Sequence, residues 1–122
     1  MTDQLPPVDP TYRDASLPIE QRVENLLGQM TLEEKAGLFF HTMITMGADG
    51  ALSDGDPAFG IPSTDEFVVN REMNHFNLFG TAADAATMAS WHNRLQELAA
   101  STRLGIPVTI SSDPRHAFSH NP

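Results

Sequence analysis

Between His75 and Ile110 the sequence reads strand, helix, strand, and that order restricts the fold more than any other feature of the chain. His75-Phe76-Asn77-Leu78-Phe79-Gly80 has the aromatic-rich make-up of a strand. Thr81 and, three residues on, Asp84 mark a helix start, and the helix is expected to run for about six turns to Arg103. Its buried stripe is Ala85, Met88, Trp91 or His92, Leu95, Leu98 and Ala99. Gly105 closes it, and Ile106 to Ile110 supply the next strand. Two strands joined across a long amphipathic helix are parallel, with a right-handed crossover. Parallel sheets are normally buried on both faces, and one helix over two strands leaves most of the sheet open. The chain is therefore expected to be the front portion of something larger, or to depend on a partner.

Upstream, residues 1–17 carry Pro6, Pro7 and Pro10 among polar residues and are expected to run extended over a surface or to be disordered. Pro18 suits the first turn of a helix whose apolar positions Ile19, Val23, Leu26, Leu27 and Met30 form one buried face. Thr31 followed by Glu34 has the capping-box pattern, so a second helix starts there with the stripe Leu32, Ala36, Phe39 and Phe40. Residues 18–40 thus read as two short helices with a corner near Met30. His41 either caps the last carbonyls or simply packs. From Met46 to Pro62, glycine, proline and aspartate alternate in a loop, either functional or an insertion. Its Asp54 and Asp56 lack the offsets of a calcium loop, and metal binding is not expected there. Phe67, Val68 and Val69 are strand-like.

Composition narrows the function. Sixteen acidic against seven basic residues give a net charge of -9, and the basic ones are scattered, which argues against a nucleic-acid partner. Such acidity is compatible with neutral ligands such as sugars. With no cysteine, disulfides, thiolate metal sites and a thiol nucleophile are excluded. No apolar run is long enough to span a bilayer, so no membrane partner is expected. Met1 to Pro10 has neither a basic nor an apolar leader region, from which a cytoplasmic location is expected, with a periplasmic or secreted one left open. His116 and His120 stand four apart in a loop with no third ligand nearby, so neither zinc nor any other cofactor is expected.

Asp113 stands where the last strand stops, immediately before Pro114. In parallel α/β folds ligands collect beyond the carboxyl ends of strands, which places this acid to meet one. Asp-Pro is equally a turn opener, and a turn role accounts for the same spacing. Arg115 and His116 follow in the same loop: either Arg115 orients Asp113 by pairing with it, or both residues simply hold the loop. Trp91, in mid-helix on the apolar stripe, reads as core rather than as a sugar-stacking platform.

Two blocks carry a resemblance. Arg22-Val23-Glu24-Asn25-Leu26-Leu27-Gly28-Gln29-Met30-Thr31-Leu32-Glu33-Glu34-Lys35 resembles the opening of glycoside hydrolase family 3, the β-glucosidase and β-xylosidase family. So does the pairing of Trp91-His92-Asn93-Arg94-Leu95-Gln96 with Thr102-Arg103-Leu104-Gly105-Ile106-Pro107-Val108 and Ser111-Ser112-Asp113. The similarity runs from about Tyr12 to the last residue. It implies that, after a tail at 1–17, residues 18–122 are the truncated start of a TIM-like (β/α)8 barrel, a fold of about 250 residues. It implies a retaining, exo-acting glycosidase whose substrate is a β-linked oligosaccharide or glycoside, cleaved through a glycosyl-enzyme. Neither catalytic carboxylate has a matching motif in this chain, which alone is expected to be inert and to need the missing C-terminal part of the same protein. Asp113 matches the family aspartate that grips hydroxyls of the terminal sugar, with Arg115 and His116 as lesser candidates. The competing reading is a non-catalytic α/β interaction module completed by another chain.

Overall fold

A computed structural model describes residues 5–80 and 84–111. The chain divides into two units, residues 1–32 and 33–122.

The first unit is a helix, α1 (Ile19–Gln29), with the preceding segment fastened to it. Asp9 caps a 3-10 turn at Pro10–Arg13, its Oδ1 accepting from the Thr11 amide at 3.0 Å and the Thr11 hydroxyl at 2.6 Å. The same residue is bound to α1: Asn25 Nδ2 donates to Asp9 Oδ2 at 2.8 Å, and the Gln29 amide both donates to the Asp9 carbonyl and accepts from the Asp9 amide at 2.9 Å. Arg22 Nε donates to the Tyr12 carbonyl at 2.8 Å. Hydrogen bonds from Thr11 hold the Asp9 carboxyl below its ordinary range. The apolar stripe expected to be buried is not: α1 has no buried residue, and Ile19, Val23 and Leu27 are exposed, with Met30 buried just beyond the helix. What α1 binds here is a polar segment, on the face carrying Arg22, Asn25 and Gln29.

The second unit is built on a parallel sheet of three strands, β1 (Thr42–Thr45), β2 (His75–Phe79) and β3 (Thr109–Ser111), in the order β1-β2-β3. Thr42 stands opposite Phe76 and Phe76 opposite Ile110. Between β2 and β3 runs α3 (Ala85–Ser101), capped by Asp84, whose Oδ1 accepts from the Thr87 amide at 2.8 Å. The expected strand–helix–strand is therefore present, with parallel strands. Trp91, Leu95 and Ala99 face inward with Ile44, Phe76 and Val108, and the Phe67 and Phe76 rings meet at 5.7 Å. Of the two candidates for one stripe position, Trp91 is buried and His92 exposed.

Two further expectations are corrected. Phe67–Val69 is no strand: it lies in a π-helical turn, Glu66–Asn70. The Ser63 hydroxyl accepts from the Glu66 amide at 3.1 Å, and the Glu66 carboxylate binds Asn70 and Arg71 at 2.8 and 2.9 Å, so both ends of the turn are satisfied while Phe67 and Val68 enter the core side by side. Local capping and adjacent burial override β propensity here. The second helix, α2 (Leu32–Gly37), turns the opposite side inward from the expected one: Leu32, Phe39 and Phe40 are exposed, and Glu34 and Gly37 are buried.

The reason lies in what Glu34 and Gly37 touch. The Glu34 carboxylate receives Arg103 Nε at 2.7 Å and Nη2 at 2.5 Å, a two-point pair between α2 and the turn after α3. A Cβ on Gly37 would stand 2.1 Å from the Glu72 carbonyl oxygen, so only glycine allows α2 this close to the chain entering β2. Glu72 itself has a left-handed backbone, with φ 54°. Burial, then the neighbouring Glu34 charge, pushes its carboxyl up from the ordinary 4.5.

Three measurements test this junction. Gly37→Ala is expected to cost more than about 3 kcal/mol in chemical denaturation, because backbone must move. Arg103→Met strands a buried carboxylate and is expected to cost about 3 to 5 kcal/mol. Because the folded Glu72 binds its proton more tightly than the unfolded chain does, its favourable contribution is full below the ordinary glutamate value and lost as pH rises through the folded one. Glu72→Gln should therefore stabilise the protein at pH about 7, with the gain vanishing towards pH about 4 in thermal melts.

Candidate functional site

The carboxyl ends of the strands are Thr45, Phe79 and Ser111, and the register places side chains of paired residues on a common face. Ile44, Phe76, Leu78 and Ile110 share the face covered by α3. Met43, Asn77 and Ser111 share the other, at the level just below Thr45 and Phe79. That second face is open: Phe79 is 61% exposed and Met43 45%.

Across the open face the His41 Nε2 and the Ser111 hydroxyl lie 2.9 Å apart, linking the start of β1 to the end of β3 over β2. His41 thus neither caps a helix nor packs in the core. Asn77, on the strand between them, has a buried Oδ1 with no hydrogen-bond partner. Among the described residues no carboxylate is bonded to His41, so none of them serves as the orienting acid of a nucleophilic triad. The chemistry on this face is hydrogen bonding: an imidazole, a hydroxyl and an amide carbonyl, which suits a hydroxylated ligand.

The glycine-rich loop after β1 is a built element. Thr45 Oγ1 donates to Ser53 Oγ at 2.9 Å, Ser53 Oγ accepts from the Gly55 amide at 3.1 Å, and the fully buried Thr64 exchanges backbone and side-chain bonds with Ser53. Gly50, at φ 70°, brings its backbone against Thr87 of α3, and Arg94 Nη1 donates to the Gly50 carbonyl at 2.5 Å. Asp56 closes a turn within it, accepting from the Ala58 amide at 3.0 Å. From α3, Gln96 grips the approach to β3 twice, Nε2 to the Val108 carbonyl at 2.7 Å and Oε1 from the Val108 amide at 3.0 Å. Ser53, Thr64 and Arg94 support the rim, Gln96 secures the opposite end of β3, and none was a candidate from sequence.

Asp113, Arg115 and His116 lie outside the described residues, as does His120. β3 ends at Ser111, two positions before Asp113 in the sequence. The expected strand over Ile106–Ile110 is shorter and later than its apolar run, because Val108 is bound by Gln96 and the ladder opens at Thr109, whose amide donates to the Asn74 carbonyl at 2.8 Å.

The strands and helix define a parallel α/β protein. No family model matches the sequence. Among curated proteins it is 50% identical over 113 residues to a probable β-glucosidase C of Aspergillus flavus, covering 92% of this chain and 17% of that protein. It is 43% identical over 112 residues to β-glucosidase C of Emericella nidulans, with the same coverage. It is 36% identical over 107 residues to a periplasmic β-glucosidase/β-xylosidase of Dickeya chrysanthemi, covering 88% of this chain and 16% of that protein. By sequence the chain is a relative of β-glucosidases and β-xylosidases, the family its two motif blocks resemble. It spans about one-sixth of the length of these relatives.

Gln96→Ala removes both bonds to Val108. The expected loss is about 1 to 3 kcal/mol, with faster hydrogen exchange at the Val108 amide than at the central β2 amides.

Proposed function

We propose that this chain is part of a retaining, exo-acting β-glycosidase of glycoside hydrolase family 3, and that its three strands open a (β/α)8 barrel. The observation that carries the reading is the identity of up to 50% with β-glucosidases over 92% of the chain. The parallel sheet supports it: one face is covered by α3, and the other carries polar groups among exposed Met43 and Phe79, as an unfinished barrel interior would.

On this reading the substrate is a β-linked oligosaccharide or glycoside, gripped at its non-reducing end. Asp113, two residues beyond β3, accepts hydrogen bonds from two neighbouring sugar hydroxyls. Each such charge-assisted bond is worth about 1.5 to 3 kcal/mol, and binding energy from hydroxyls that do not react can be applied to ring distortion at the carbon that does. Arg115 orients that carboxylate by pairing with it, and His116, next in the same loop, is a lesser contact to the sugar. The two carboxyl groups that cleave the bond, about 5 to 5.5 Å apart in a retaining enzyme, belong to parts of the protein outside these 122 residues.

Asp113→Ala in the full-length protein is expected to lower kcat/KM on an aryl β-glucoside by about a hundredfold or more, at unchanged thermal stability. An unchanged kcat/KM removes Asp113 from the subsite. Anomeric retention, followed by proton NMR of the first-formed sugar, tests the mechanism independently.

A further inference from the structure

At the end of the sheet opposite the rim, a small, partly open void lies where α2, the segment entering β2 and the turn after α3 meet. It has room for about one water, with a volume near 20 Å³. Val68, Ala99 and Leu104 give it apolar walls, and Glu72 and Asn74 add polar ones. Asn74 is 6% exposed, and its Oδ1 is buried without a hydrogen-bond partner. The Asn74 backbone is committed, its carbonyl accepting from the Thr109 amide. Glu34, also on the wall, has its carboxylate turned to Arg103.

We propose that this void is a binding site for one ordered water, which donates to Asn74 Oδ1 and to the Glu72 carboxylate. Above the raised pKa of Glu72, its ionised carboxylate and the Asn74 amide oxygen are both acceptors, so they cannot satisfy each other, and the missing partner must bring two donors. A water molecule does so at the right size. A monovalent cation is the other species acceptors attract, but Arg103 already supplies positive charge to the adjacent Glu34, and a neutral ligand enters without being stripped of a hydration shell. The water ties the start of β2 to the left-handed turn at Glu72, so the amino-terminal end of the sheet is held by a polar plug instead of apolar packing alone.

A high-resolution crystal structure of the full-length protein reads the site directly. The expected result is a peak within hydrogen-bond distance of Asn74 Oδ1 with no more than four oxygen neighbours. An empty void, or a peak with five or more oxygen ligands, overturns the proposal, the second in favour of a cation. In solution, Asn74→Leu removes the acceptor at nearly constant volume. It is expected to lower Tm by several degrees, because the water loses a partner, and Tm of the parent protein is expected to be equal in sodium and choline chloride. A higher Tm for Asn74→Leu means the acceptor was unpaired, and selective stabilisation by sodium means a cation. Either result overturns the water.

Discussion

Parallel strands cannot be joined by a tight turn, so each connection has to leave the sheet, cross a face and return, and it is these crossings that shape the second unit. One is α3, which lays Trp91, Leu95 and Ala99 over Phe76. The other, from β1 to β2, does the same work with a glycine-rich loop and a single π-helical turn, so that Phe67 and Val68 stand where a second crossover helix would supply core residues. Both crossings lie on one side. The central strand is therefore sealed on that side and lies on the other beneath the row of polar residues His41, Asn77 and Ser111.

The division of labour between the two ends of the sheet follows from the same layout. At the amino-terminal end, Glu34, Arg103, Glu72 and the glycine contact at Gly37 fasten α2 to the sheet by charge pairing and backbone proximity. At the carboxyl end, Ser53, Thr64 and Arg94 use neutral hydroxyls and backbone carbonyls to hold a long loop in place. A rim built on short hydroxyl side chains can carry irregular backbone without unsatisfied groups, which is what a surface that must meet a ligand requires.

Much of the second unit was legible because its signals are periodic. The helix over α3 shows in the spacing of Met88, Trp91, Leu95 and Ala99, and β2 and β3 in their apolar runs. What escaped has no period. β1 is four residues long, Thr-Met-Ile-Thr, and contributes one fully buried side chain, Ile44. Phe67–Val69 carries β-favouring residues whose helical turn is set by Ser63 and Glu66 on either side. In α2 the apolar stripe was real but pointed outward, because an ion pair and a missing Cβ decided the rotation of the helix. Gln96 and Arg94 could not be found from sequence, since their partners lie at backbone atoms brought near only by folding.

The grip of Gln96 on Val108 has a bearing on how the sheet can grow. Successive residues of a strand send their amide and carbonyl to opposite sides, and Thr109 sends its amide towards β2, so Val108 addresses the free edge. There the carboxamide already occupies both of its groups, imitating one residue of a neighbouring strand. A fourth strand can begin its ladder only at Ile110. The side chain of a helix thereby acts as an end-stop, fixing the alignment of a strand with which it makes no ladder of its own.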